Sequence, residues 1–150
     1  MKNSCLELSI CGEKTFRLFL EIIKQELDIL GIADISGIQA FILMNINENV
    51  ITVGEVLTKG YYIGSNASYN VKKMIANKYI MQTPSDYDRR ASYLQLTKKG
   101  LELCSKLEAA ISQHMNRFEA VATGKSEIER GLKFLKKVEN YWQGILTRRV

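Results

Sequence analysis

Apolar residues return every three or four positions along most of this chain. From Thr15 to Leu30, Phe16, Phe19, Leu20, Ile23, Leu27 and Leu30 fall at helical spacing, and Gly31 follows as a stop. Ser36 is placed to cap a second helix that carries Ile38, Phe41, Ile42 and Ile46. Residues 45–49, NINEN, read as a loop. Thr52 then caps a short helix, TVGEVLTKG, and Glu55 three residues later makes a capping box. Gly60 closes that helix and YYIG is a tight connection. Ser65 caps the next one, SNASYNVKKMIANKY, with Ala67, Val71, Met74 and Ile75 on its apolar face. Its other face carries Asn66, Ser68, Tyr69, Asn70, Lys72 and Lys73. Two short helices joined by a glycine-containing turn form a helix-turn-helix pattern.

The period changes between residues 79 and 96. Tyr79 to Thr83 and Ser92 to Leu96 read as strands, the second with Leu94 and Leu96 on one side. Pro84 ends the first strand, and Ser85 to Ala91 form a hairpin tip. Thr97 caps a long helix whose stripe is Leu101, Cys104, Leu107, Ile111, Met115, Phe118 and Ala122. Gly124 interrupts it. Ser126 caps a last helix with Ile128, Leu132, Leu135, Val138, Trp142 and Ile145 on its face. The pattern is mainly α with one small β-hairpin.

Composition narrows the function classes. The 150 residues are 46% apolar and 25% charged, ordinary for a soluble domain, with a formal net charge of +5. That basic excess suits a polyanionic partner. The N-terminus, MKNSCLELSICGEK, has no long apolar run and no small-residue cleavage site, and no stretch approaches a membrane span. A cytoplasmic location without membrane contact is expected. Cys5, Cys11 and Cys104 are odd in number and share no ligand spacing, and His114 has no second ligand at metal spacing. No metal and no cofactor are expected. One histidine, no paired carboxylates in a glycine-rich context and no phosphate loop argue against an enzyme.

The chemistry that remains is nucleic-acid binding. A helix fits the major groove, about 12 Å wide, with its N-terminal residues toward the base edges. Ser65, Asn66, Ser68, Tyr69 and Asn70 offer hydrogen-bonding groups there, and Lys72 and Lys73 supply phosphate attraction. The hairpin tip carries Asp88, Arg89 and Arg90. A narrow minor groove concentrates negative potential and favours an inserted arginine. An aspartate can hold that arginine in place by a charge-assisted bond.

A helix-turn-helix, then DRR (Asp88, Arg89, Arg90), then LTKKG (Leu96 to Gly100) opening a long helix resembles the winged-helix MarR regulators. Their hairpin motif is D-x-R followed by apolar alternation and L-T-x-x-G. The resemblance covers about residues 15–148. It implies a winged helix-turn-helix lobe over 35–97, flanked by dimerisation helices over 9–31 and 98–148, within one domain of residues 1–150. It implies that Arg90 enters the minor groove and that residues 65–79 form the recognition helix. Members of the family are dimeric transcription regulators of duplex DNA, often repressors released by small phenolic ligands or by oxidation. The paired tyrosines of KGYYIGSNASYN depart from the general pattern.

The resulting expectation is a homodimeric, sequence-specific DNA-binding regulator, a repressor on a pseudo-palindromic operator, released by a small-molecule effector. The effector cavity is expected between the winged lobe and the dimer helices, with Phe19, Phe41 and Tyr61 as its lining. Two other readings stay open. Cys11, with Lys14 nearby, is the candidate for a redox switch. A winged helix can also serve as a protein- or RNA-interaction module. Cys104 lies on an apolar stripe and reads as core.

Overall fold

Gly31 ends the first helix by a backbone device. The computed structural model describes residues 4–58, 66–84 and 92–147, and in it helix α1 runs Ser4–Ile29. Gly31 takes φ 69°, its N–H donates to the Asp28 carbonyl at 3.0 Å, and the Ile32 N–H donates to the Leu27 carbonyl at 2.9 Å. A left-handed residue just past a helix satisfies the last carbonyls in this way, and glycine adopts it without strain. α1 begins well ahead of Thr15, and of its predicted stripe only Ile23 and Leu27 are buried.

Helix α2, Gly37–Ile46, starts where Ser36 predicts. The Gln39 N–H donates to Ser36 Oγ at 3.3 Å, and the Ser36 N–H donates to Gln39 Oε1 at 3.1 Å, a reciprocal capping box. Gly37 lets α2 cross closely over α1, because a Cβ there would stand 2.7 Å from the Leu20 carbonyl oxygen. Strand β1, Ile51–Thr52, leads into helix α3, Val53–Thr58. The predicted box forms here: the Thr52 N–H donates to Glu55 Oε2 at 2.7 Å and the Glu55 N–H to Thr52 Oγ1 at 3.1 Å.

Helix α4, Asn66–Ala76, ends earlier than residue 79. Lys78 takes φ 62°, and the N–H groups of Lys78 and Tyr79 donate to the carbonyls of Ile75 and Met74. Strands β2, Ile80–Pro84, and β3, Ser92–Leu96, form an antiparallel sheet in the order β1-β3-β2. Ile80 pairs with Leu96 and Pro84 with Ser92; β1 sets Ile51 against Leu94. Pro84 lies at the end of an edge strand, where its missing N–H costs no ladder bond.

Helix α5, Lys98–Phe118, opens with the Gly100 N–H donating to Thr97 Oγ1 at 3.2 Å. Gly100, Leu103, Cys104 and Leu107 are its buried residues, whereas Leu101 is exposed. The predicted stripe is therefore corrected at its start: Leu101 stands about 100° around the helix from Gly100, at the edge of the buried face.

The chain divides into two compact units, Met1–Ala110 and Ile111–Val150, and the division falls inside α5. The first unit holds the core: Ile23, Leu27, Leu43, Ile46, Met74, Leu94 and Leu107 are all almost fully buried. The second unit contains the end of α5, a π-helical turn at Glu119–Thr123, and helix α6, Lys125–Thr147. Gly124 takes φ 70° at the junction. Ser126 lies within the first turn of α6 and not at its cap, a correction to the predicted start. α6 buries none of its residues. Among the described residues no helix is long and apolar enough to cross a membrane.

Candidate nucleic-acid interface

α4 has two faces of different chemistry. Ala67, Asn70, Val71 and Met74 are buried, and Asn66, Ser68, Tyr69, Lys72 and Lys73 are exposed. The exposed set brings together five of the seven residues proposed for the recognition helix. The Lys73 ammonium lies 6.0 Å from the Tyr69 ring centroid, so the two flank one another along the helix. The helix thus presents hydrogen-bonding groups near its start and two cations further along.

Asn70 is a correction. It is 9% exposed, and its Oδ1 accepts a hydrogen bond from Gln39 Nε2 at 3.0 Å. It cannot meet DNA from that position. Positions 67, 70, 71 and 74 form one stripe at helical spacing, and the side chain follows the stripe and not its own polarity. Gln39 is itself 3% exposed and spends its other amide atom on the Ser36 cap. One buried glutamine therefore ties the start of α2 to the middle of α4. Buried amides must be paired, so this link also fixes where α4 sits.

Ser65, Tyr61, Asp88, Arg89 and Arg90 lie outside the described residues. The strands that carry the hairpin pair as far as Pro84 and Ser92.

A second polar cluster holds the far end of α4. Lys99 Nζ donates to Asp34 Oδ2 at 2.9 Å and to the Asn77 carbonyl at 3.0 Å. The same ammonium lies 3.9 Å from the centroid of the Tyr79 ring. The Tyr79 hydroxyl donates to Asp34 Oδ1 at 2.6 Å, and Asn77 Nδ2 donates to the Asp34 carbonyl. Thr97 Oγ1 donates to the Lys78 carbonyl at 2.6 Å. The Tyr79 hydroxyl and the Lys99 ammonium hold the Asp34 carboxyl below the usual carboxylate range. Burial, and then the Asp34 acceptor, push the Tyr79 phenol up, and the Asp34 hydrogen bond raises Lys99. Sequence reading did not find this cluster, because Asp34 and Lys99 are 65 positions apart.

A cavity of about 430 Å³ opens beside the cluster, with Ile32, Ala33, Asp34, Tyr79, Lys99 and Leu103 in its wall. Another of about 400 Å³ lies where α1 meets the start of α2, against Leu20, Lys24, Leu27, Gly37 and Ile38. Phe19 and Phe41, the expected pocket lining, stand in neither wall. They pack edge to face with ring centroids 6.1 Å apart, and Phe16 packs on Phe41 at 5.2 Å, so the three rings join α1 to α2.

Cys11 is exposed on α1 and Cys104 is buried. Burial, with Glu108 nearby, pushes the Cys104 thiol up to about 12, which leaves it protonated and inert at neutral pH. Among the described residues no cluster of three or more His, Cys, Asp or Glu could hold a metal ion.

Comparison with known proteins agrees with this architecture. The model of the MarR family matches residues 33–91. The exopolysaccharide II synthesis transcriptional activator ExpG of Rhizobium meliloti (strain 1021) is 32% identical over 136 residues, which span 91% of this chain and 70% of that protein. AbsC, a MarR family transcriptional regulator from Streptomyces coelicolor, superposes with a TM-score of 0.74 at 18% identity, over 96% of this chain and 97% of that one. AbfR of Staphylococcus epidermidis gives 0.75 at 17% identity, over 93% of each chain. These two structures share the fold. With that fold, the family match and the level of identity to ExpG, this chain belongs to the MarR family of DNA-binding transcriptional regulators.

Proposed function

We propose that the protein is a homodimeric regulator that reads a pseudo-palindromic operator with the exposed face of α4 and with the 85–91 hairpin. The observation that carries the reading is the division of α4. Its inner face is anchored in the core, and its outer face offers Asn66, Ser68, Tyr69, Lys72 and Lys73. In a two-fold dimer the recognition helices meet half-sites roughly 34 Å apart. The uncovered apolar positions of α6 support the dimer. A small-molecule effector enters the cavity of about 430 Å³ beside Asp34 and Lys99, next to the end of the recognition helix.

Resemblance alone suggests repression. ExpG, the relative at 32% identity, is named an activator, and we take activation as the sign for this chain. A reporter fused to the operator-bearing promoter is expected to lose output when the protein is removed. Output that rises on removal would reverse the sign.

The DNA contacts are tested by three substitutions. Arg90→Ala is expected to weaken specific binding by roughly 1–3 kcal/mol, most where A·T pairs flank the half-sites. Lys72→Ala is expected to weaken all sequences alike and to reduce the salt slope by about one. Asp88→Ala removes a negative charge, which simple electrostatics favours, so a loss of affinity there reports an aspartate that aims an arginine. If Asp88→Ala tightened binding and Arg90→Ala behaved as Lys72→Ala does, the hairpin would be a solvated charged turn.

A further inference from the structure

The two polar links to α4 differ in kind. Gln39 and Asn70 are buried amides within the helix packing. Asp34 and Lys99 are each about half exposed, 47% and 48% by side chain. An exposed ion pair contributes little to folding. Yet Lys99 is held at three points, by Asp34, by the Asn77 carbonyl and by the face of Tyr79. So small a stabilisation does not call for geometry so fully determined.

The location supplies a reason. Asn77 follows the last residue of α4, and its carbonyl belongs to the negative end of the helix dipole, where a cation is favourable. Lys99 stands in the first turn of α5, and Asp34 precedes the Ser36 cap of α2. Gly100 brings α5 against the Tyr79 carbonyl, and Thr97 takes the Lys78 carbonyl. The end of α4 is thereby joined to α5 and to the segment before α2 by side chains that can exchange partners with water. Its middle is joined to α2 by side chains that cannot.

We propose that Asp34, Tyr79 and Lys99 form a clasp that sets the angle of α4 against α5, and that Asp34 and Lys99 are positioning residues for operator binding. The proposal rests on α4 being the recognition helix. The clasp is charged across the neutral range. The contribution of Asp34, whose pKa is lowered by folding, is present above the ordinary carboxylate range and fades only as pH falls through the lowered value. That of Lys99, whose pKa is raised, fades only as pH rises through the raised value.

The test measures operator affinity, affinity for random duplex DNA and thermal unfolding on the full chain. Asp34→Asn and Lys99→Met are expected to lose on the order of tenfold in operator affinity at temperatures where each stays folded. Lys99→Arg is expected to recover part of the loss. Asp34→Asn is decisive in sign, because it removes a negative charge and by electrostatics alone would bind DNA more tightly. Its affinity for random DNA should hold or rise while operator affinity falls. If Asp34→Asn binds the operator as tightly as the parent, or more tightly, the clasp has no positioning role. If either variant fails to fold, Tyr79→Phe, which removes one hydroxyl from the same cluster, gives the same readout with the same two outcomes. Tyr69→Ala separates the clasp from the reading beneath it. A loss with Tyr69→Ala and none with Asp34→Asn overturns the clasp alone; full affinity in Tyr69→Ala overturns α4 as the recognition helix, and the clasp with it.

Discussion

Gly100→Val is expected to cost at least about 3 kcal/mol of folding free energy, a large part of the 5–15 kcal/mol typical of a domain. A Cβ at this position overlaps the Tyr79 carbonyl oxygen and stands 3.1 Å from Leu96 Cγ. The first obstacle is backbone, which cannot turn aside as a side chain can. The second is a fully packed core residue opposite Ile80 in the sheet. Relief requires α5 to move away from the strand, which also breaks the Thr97 cap and withdraws Lys99 from Asp34. Gly100→Ala meets the same oxygen, partly offset by about 1 kcal/mol of better helix propensity. Gly12, in the middle of α1, is the control. Nothing lies within 4 Å of a Cβ built there, so Gly12→Ala should stabilise by roughly 0.5–1 kcal/mol. Urea denaturation of the three variants decides it. Equal stability of Gly100→Val and the parent would mean that the close approach is not required.

The L-T-x-x-G motif thus has a physical content that its letters do not carry. The threonine hydroxyl accepts from the Gly100 N–H and donates to the Lys78 carbonyl, and the glycine makes room for Tyr79. The local parts of the fold were legible for a simple reason. Caps at Ser36, Thr52 and Thr97 and the stop at Gly31 depend on residues within five positions of each other. Strand β1 was not legible, because two residues offer no alternation to detect. Polarity alone puts Asn70 on the outer face, although its spacing from Ala67 and Met74 puts it on the inner one. A polar residue on a buried stripe demands a partner, and Gln39 is the matching polar residue on the buried stripe of α2. That pair of anomalies was the available signal. Asp34, Tyr79 and Lys99 offered none, since nothing local joins the three positions and only the folded chain brings them together.

The last expectation concerns α6, where the sequence pattern and the protomer disagree most. Its stripe predicts a buried face, yet in this chain Leu132, Leu135 and Trp142 are all exposed, from 46% to 55%. Fully burying one such side chain contributes about 1.5–3 kcal/mol, so the row holds enough free energy for stable association once a second copy covers it. If the chain pairs through α6 as proposed, Leu135→Asp and Trp142→Asp should each leave it monomeric at micromolar concentration in sedimentation. Because neither side chain is buried in the protomer, the substitutions should leave the first unit folded, with an unchanged far-ultraviolet spectrum apart from any fraying of α6. Operator affinity should fall by about 100-fold or more, since two linked half-site contacts become two independent ones. Affinity for a single half-site should stay unchanged, because α4 and its anchors at Gln39 and Lys99 lie in the other unit. A variant that remains dimeric with an aspartate at both positions would place the dimer contact elsewhere. One that becomes monomeric yet binds the full operator as tightly as the parent would remove two-fold symmetry from the recognition mechanism.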